Sequence, residues 1–236
     1  MKKKFLFSFI FLLLVFFSSF SCAIVHRGGA WIEAFVSGPL KNEKFLYLAG
    51  FSNNLEDRPH YYNQYILKLA LGYKLKHGSL LIGYSIPPIY EEGWDDFLGE
   101  NRPWQQFSYS AGPFSFRTLF EQRFKEHGKC VEGILGKDFC GMGFRFRQKF
   151  AFNPKWSKRI NPFLYNEFFF ELKKTSWCNR GFSENYLFIG CVIDIFEDFS
   201  LEFGYLNDYT SKNTRPGHEG PAKMVHNISM SFTYKT

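Results

Sequence analysis

The stretch Phe144-Arg-Phe-Arg-Gln-Lys-Phe-Ala-Phe152 constrains the fold more than any other part of the chain. In an extended strand, successive side chains point to opposite faces. Phe144, Phe146, Phe150 and Phe152 therefore share one face, and Arg145, Arg147 and Lys149 share the other. Wound as a helix, the same residues would scatter rings and cations around the circumference, with no apolar stripe to bury. The pattern recurs. Phe114, Phe116, Phe120 and Phe124 oppose Ser115, Arg117, Glu121 and Arg123. Phe199, Leu201, Phe203 and Tyr205 oppose Ser200, Glu202 and Gly204, and Ile228, Met230, Phe232 and Tyr234 oppose Asn227, Ser229, Ser231 and Thr233.

Eleven periodic segments can be read, at 30–38, 44–53, 61–75, 79–86, 100–110, 114–124, 142–152, 162–172, 183–195, 199–208 and 224–234. Most are near the ~9–11 residues that a tilted strand needs to cross a bilayer. Their connections alternate in length. Lys76 to Gly78, Ala111 to Pro113 and Phe196 to Asp198 are tight turns, and Asn153 to Arg159 is a longer turn bearing Pro154. Leu55 to His60, Pro87 to Gly99, Lys125 to Gly141, Lys173 to Phe182 and Tyr209 to Lys223 are longer polar loops. Sorting short turns to one rim and long loops to the other is the habit of outer-membrane barrels, short side to the periplasm. The expectation is an all-β, antiparallel up-and-down transmembrane β-barrel of about ten, alternatively twelve, strands, because single-chain bacterial barrels have even numbers. Ten strands would leave Trp31 to Val36 out of the wall, as a periplasmic or lumenal segment.

Alternation alone leaves two ways to face the strands. A soluble sandwich or lipocalin-like barrel buries the phenylalanines and puts Arg145, Arg147 and Lys149 in water. A membrane barrel turns the phenylalanines to lipid and the charges to a lumen. Aromatic residues make up 21% of the chain, and Tyr61, Tyr62, Trp104, Tyr109, Tyr205 and Tyr209 fall near strand ends, where interfacial girdles lie. The polar faces carry both signs of charge, as a tightly packed lumen requires. The last strand, ending Phe232-Thr-Tyr234, is similar to the C-terminal insertion signal of bacterial outer-membrane proteins, with Ser229 where glycine is usual and Lys235-Thr236 after the final aromatic. These features favour the membrane arrangement.

The first residues read as an export signal. Lys2, Lys3 and Lys4 precede an apolar run from Phe5 to Phe17, and Ser21-Cys22-Ala23 places small residues where a signal peptidase cuts. The expectation is a cleaved signal peptide over 1–23 and a single barrel domain over 24–236. An uncleaved anchor and lipid attachment at Cys22 are the alternatives, and Ser19 stands where a lipobox usually has leucine. The formal charge of +7 includes the three leader lysines, so the exported remainder is only mildly basic, which argues against a nucleic-acid partner. No apolar run of ~18 residues follows the leader, so no helical anchor is expected.

A set of short motifs, in order, resembles one bacterial family. They are Glu100-Asn-Arg-Pro-Trp104, Arg117-Thr-Leu-Phe-Glu-Gln-Arg123, Phe144-Arg-Phe-Arg147, Tyr165-Asn-Glu-Phe-Phe169, Asn185-Tyr-Leu-Phe-Ile-Gly190, Leu201-Glu-Phe-Gly-Tyr205 and His226-Asn227. From about Trp31 to Tyr234 the chain resembles the family known as domain of unknown function 2490. The resemblance implies an exported outer-membrane β-barrel, and implies no substrate and no catalytic residue.

The candidate site is the charge set on the polar faces: Arg102, Arg117, Glu121, Arg123, Arg145, Arg147, Lys149, Glu167, Glu171 and Glu202. Neighbouring strands lie ~4.8 Å apart, so Arg–Glu ladders are easy to form. An unpaired charge in a narrow lumen costs several kcal/mol, so a network that fills the barrel is expected, with a polar pore or anion-binding lumen as the functional alternative. His226 and Ser229 fall on opposite faces and cannot pair for acyl hydrolysis. His127 beside Glu126, and His218 beside Glu219, are candidates for loop-borne catalytic or metal sites, though adjacent polar residues are ordinary in solvated loops. Glu91, Glu92, Asp95 and Asp96 form an acidic loop cluster without EF-hand spacing. Cys130 and Cys140 bracket one loop and are a possible disulfide, either one with Cys178 being the rival, while Cys191 reads as a small apolar strand residue. No cofactor and no metal site are expected.

The expected function is a non-enzymatic outer-membrane barrel with a structural, adhesive or permeability role. Its expected partners are outer-membrane lipid, lipopolysaccharide and the barrel-insertion machinery. An outer-membrane enzyme with loop-borne catalytic residues, and a soluble exported barrel binding an apolar ligand, are the alternatives.

Overall fold

The computed structural model describes residues 24–41, 43–56, 63–86, 88–90, 97–126, 139–175, 178–211 and 221–236. The leader, His127, His218 and the acidic cluster at 91–96 lie outside the described residues, as does the expected pairing of Cys130 with Cys140.

Among the described residues the secondary structure is all strand: β1 (Ile24–Pro39), β2 (Phe45–Glu56), β3 (Asn63–Leu75), β4 (Gly78–Ile86), β5 (Pro88–Tyr90), β6 (Phe97–Ala111), β7 (Phe114–Glu126), β8 (Phe139–Phe152), β9 (Ile160–Glu171), β10 (Gly181–Asp194), β11 (Phe199–Thr210) and β12 (Ala222–Lys235). Each wall strand pairs with its sequence neighbours, β4 pairs with β6, and β1 pairs with β12. The ring is closed and has eleven strands. The short β5 stands outside that count, pairing with the first residues of β6 beyond the β4 ladder.

Eleven corrects the expectation of ten or twelve. The segment 30–38 is not periplasmic or lumenal; it is part of β1, a full wall strand. An even count follows only when every neighbouring pair is antiparallel. In a meander each strand reverses the last, so with an odd number the first and last run the same way. Here they pair in parallel, from Ile24 opposite Ala222 to Ser37 opposite Lys235. Parallel ladders are slightly weaker per residue, and this one runs nearly the whole length of both strands.

The alternation resolves into faces as follows. Leu69 is 65% exposed and Ile82 70% exposed on the outer wall, with Phe114, Phe116, Phe150, Phe203 and Ile228 also outward. Across β7 and β8, Phe116 faces Phe150 edge to face at 5.6 Å, and Phe114 faces Phe152 at 5.1 Å. Inside, Arg102, Glu121, Arg123, Arg145, Glu167 and Glu171 are all buried. Two apolar clusters share the interior with them. One is Trp31, Ala151, Phe163, Phe188, Val192 and Leu206, and the other is Ala70, Leu81, Trp104 and Leu119. Trp104 is thus not a girdle residue: it shares the inward parity of Arg102, and its indole nitrogen donates to Ser85 Oγ at 2.8 Å.

Glycine makes room for this filling at one register. Gly190 and Gly204 face each other across β10 and β11, and a Cβ on either would lie 2.8 Å from the Phe188 ring, with a backbone carbonyl closer still. At the β6–β7 turn, Gly112 has φ +59°, a conformation costly for any residue with a Cβ.

Candidate functional site

The charged residues of β6 to β9 meet in one interior network. Glu121 and Arg145 are register partners on β7 and β8, and Arg145 Nε donates to Glu121 Oε2 at 2.5 Å. Arg147 reaches Glu121 at 3.3 Å and donates Nε to Glu167 at 2.9 Å. Other pairs skip a strand. Arg117 on β7 gives its Nη2 to both oxygens of Glu167 on β9 at 2.8 Å. Arg123 donates to Glu171 on β9 at 2.7 Å. The curvature of a small barrel brings alternate strands within side-chain reach across the lumen, which a flat ladder does not.

Toward the long-loop end, Glu100 is fully buried and accepts from two guanidinium groups, Arg102 Nε and Arg123 Nε, each at 2.6 Å. Burying carboxylates at this depth is tolerable only with such partners. The guanidinium fork suits the task, since it can feed two carboxylates at once. The Arg145 and Arg147 guanidinium groups also lie over the Phe169 ring, at 5.2 and 4.3 Å, and cation–π attraction adds to the holding.

The charge set read from alternation therefore converges on the interior, and all but Glu202 and Lys149 are ion-paired there. Glu202 lies on the inner face of β11 and makes no ion pair within 4 Å among the described residues. Alternation also offered residues that the candidate set omitted. Glu33, Ser52 and Lys68 form an inward trio on β1, β2 and β3: Ser52 Oγ donates to Glu33 at 2.7 Å, and Lys68 Nζ lies 3.6 Å from Glu33. The signal was present in Leu67-Lys-Leu-Ala-Leu71, where a lone lysine interrupts outward leucines. Glu100, quoted only as part of a motif, and Glu184, 3.8 Å from Arg145, belong to the network too.

The outer wall carries polar contacts between Gln105 and Gln122 and between Thr118 and Gln148, and a longer polar chain where β1 meets β12. His26 on β1 and His226 on β12 stack with ring centroids 5.2 Å apart and a nitrogen–nitrogen hydrogen bond of 2.8 Å. Tyr205 bonds the other nitrogen of His226, and Asn207 donates to the Tyr205 hydroxyl at 3.3 Å. Ser229 is buried on the opposite face of β12 from His226. In the loop between β9 and β10, Cys178 is a free, buried thiol hydrogen-bonded to Thr175. Cys191 is also a free thiol, on the outer face of β10. Among the described residues no group of three or more His, Cys, Asp or Glu is placed to hold a metal.

Comparison with known proteins gives kinship without chemistry. An uncharacterized protein of Methylorubrum extorquens (strain AM1) is 29% identical over 206 residues, covering 83% of each chain. No solved structure matches. The family model described as "Protein of unknown function (DUF2490)" matches residues 28–219, and a match over that much of the barrel shows that this chain belongs to the DUF2490 family.

Proposed function

We propose that this protein is exported by its leader and resides in the outer membrane as a non-enzymatic barrel, with its apolar wall in lipid and its lumen plugged by its own ion pairs. The observation carrying this reading is the inverted distribution of residues. Leu67, Leu69, Leu71, Ile82, Ile189 and Ile228 stand more than half exposed on the outside, while Glu100, Glu121, Glu167 and Glu171 are buried inside. A protein in water that exposed so broad an apolar belt would aggregate, and one that bound an apolar ligand would not line its cavity with carboxylates. At the rim of short turns, Trp156, Phe196, Tyr73, Tyr109 and Tyr234 are exposed, where an interfacial girdle would sit.

The role is structural, or one of restricted permeability: the network from Glu100 to Glu167 occupies the cross-section, so large solutes do not pass. Lipid and lipopolysaccharide are the contacts of the wall, and the insertion machinery its transient partner. The test is fractionation of cells expressing the full chain, followed by electrophoresis with and without boiling and by planar-bilayer recording. Recovery with outer membranes, a heat-dependent shift in mobility and no large conductance are expected. Detergent-free recovery in the soluble periplasm overturns the reading.

A further inference from the structure

The ion network fills the long-loop half and the middle of the lumen, but not the half near the short turns. There, Ser108 and Ser110 on β6, Ser115 and Arg117 on β7, Lys149 and Ala151 on β8, and Phe163 on β9 line a cavity of about 230 Å³. Register brings the polar members together, Ser108 beside Arg117, Ser110 beside Ser115, and Arg117 beside Lys149.

Three observations bear on what this space takes. Every charged side chain lining it is cationic, and the other polar ones are hydroxyls. The Arg117 guanidinium is held by Glu167 through Nη2, while its Nε is buried without a partner. Lys149 Nζ sits 3.4 Å from the Tyr165 ring centroid and makes no ion pair within 4 Å among the described residues; Arg117 repels it, and the carboxylates of Glu202, Glu167 and Glu33 attract it from farther off. The Ser108 hydroxyl already accepts from Gln106 at 3.0 Å, which leaves its proton to donate elsewhere. Two cations and three hydroxyls thus line one space, against an apolar wall of Ala151 and Phe163.

We propose that this cavity binds a small organic carboxylate, its head between Lys149, the exposed part of the Arg117 guanidinium and the serine hydroxyls and a short apolar body against Ala151 and Phe163. The volume lies below the ~300–1,000 Å³ of drug-sized ligand sites, which limits the ligand to a small ion. The site rests on barrel closure alone and is independent of what surrounds the outer wall.

The test uses para-fluorobenzoate as probe and fluorine NMR as readout, with the full chain folded in zwitterionic detergent. Boiled and unboiled migration reports folding of each variant separately. Saturable broadening of the probe signal, reversed by unlabelled benzoate and not by chloride, is expected for the wild type. Lys149→Gln should weaken binding about tenfold or more, because a charge-assisted hydrogen bond is lost. Ser115→Leu, which fills the cavity and keeps both cations, should abolish it. Absence of saturable binding to the folded wild type, or equal binding by folded Lys149→Gln or Ser115→Leu, overturns the proposal.

Discussion

Arg145 and Glu121 face each other across the β7–β8 ladder with Nε and Oε2 2.5 Å apart, and both side chains are at most 5% exposed. A pair this deep is held by mutual need: neither ion has water to fall back on. Removing one member of a buried pair typically costs roughly 3–5 kcal/mol, most of it from the charge left behind. Glu121→Ala should therefore lower the unfolding free energy by an amount of that order, read as a lower urea midpoint, because Arg145 and Arg147 both lose a partner. Replacing Glu202, which has no ion pair, by Gln should shift the midpoint far less. Equal shifts for the two variants would show that the network does not carry the stability assigned to it.

The outer wall separates lipid from water by mutation. Leu69→Arg places a guanidinium on β3 where the native side chain is 65% exposed. In a bilayer that change should cost up to about 2–4 kcal/mol, depending on depth. In water an exposed substitution should stay within about 0.5 kcal/mol. Unfolding measured in phospholipid vesicles and yield in the membrane fraction both read the difference.

Closure by a parallel pair is open to crosslinking. Ala30 lies opposite Ile228, both on the outer face, and Ala34 lies opposite Phe232. Ala30→Cys with Ile228→Cys, in a chain whose native cysteines are serine, should form a disulfide under mild oxidation. Ala30→Cys with Phe232→Cys should not, since four residues of offset along a strand exceed the reach of the bond. Non-reducing electrophoresis after proteolysis distinguishes the two.

An odd number of strands puts the start of β1 and the end of β12 on opposite rims. With the short turns toward the periplasm, an epitope placed immediately before Ile24 should be accessible to antibody on intact cells, and one placed after Thr236 only after permeabilisation. The reverse pattern would invert the proposed orientation.

Burial pushes the Cys178 thiol up from its ordinary range, and the Thr175 hydrogen bond opposes this only in part. A raised pKa means less thiolate at neutral pH, and alkylation requires thiolate. In a chain whose other cysteines are serine, Cys178 should react with iodoacetamide more slowly than a free thiol at pH 7, and the rate should keep rising at pH values where a free thiol has already levelled off.

Much of the site was legible because parity in a strand is local. Whether Arg147 or Phe146 looks inward depends on one residue of register, and the alternation of phenylalanine with charge settles it within a single segment. Trp104 shows the limit. Proximity to a strand end suggested a girdle, but parity with Arg102 placed it inside, over Gly83. Partners were less legible than faces. Arg117 reaches Glu167 by crossing over β8, and nothing local to Arg117 encodes the curvature that makes this possible.

By itself the amino-acid order determined that the described residues form strands, which side chains share a face, and which connections are short. Those properties follow from the two-residue period of extended backbone and from turn chemistry, both of which act over a few residues. Only the tertiary structure decided that the ring closes at eleven. That outcome depends on β1 finding β12, with Ala30 beside Ile228 nearly two hundred residues away. The choice between a closing parallel ladder and a free edge is made by hydrogen bonds between the two ends of the chain, and no local pattern encodes them.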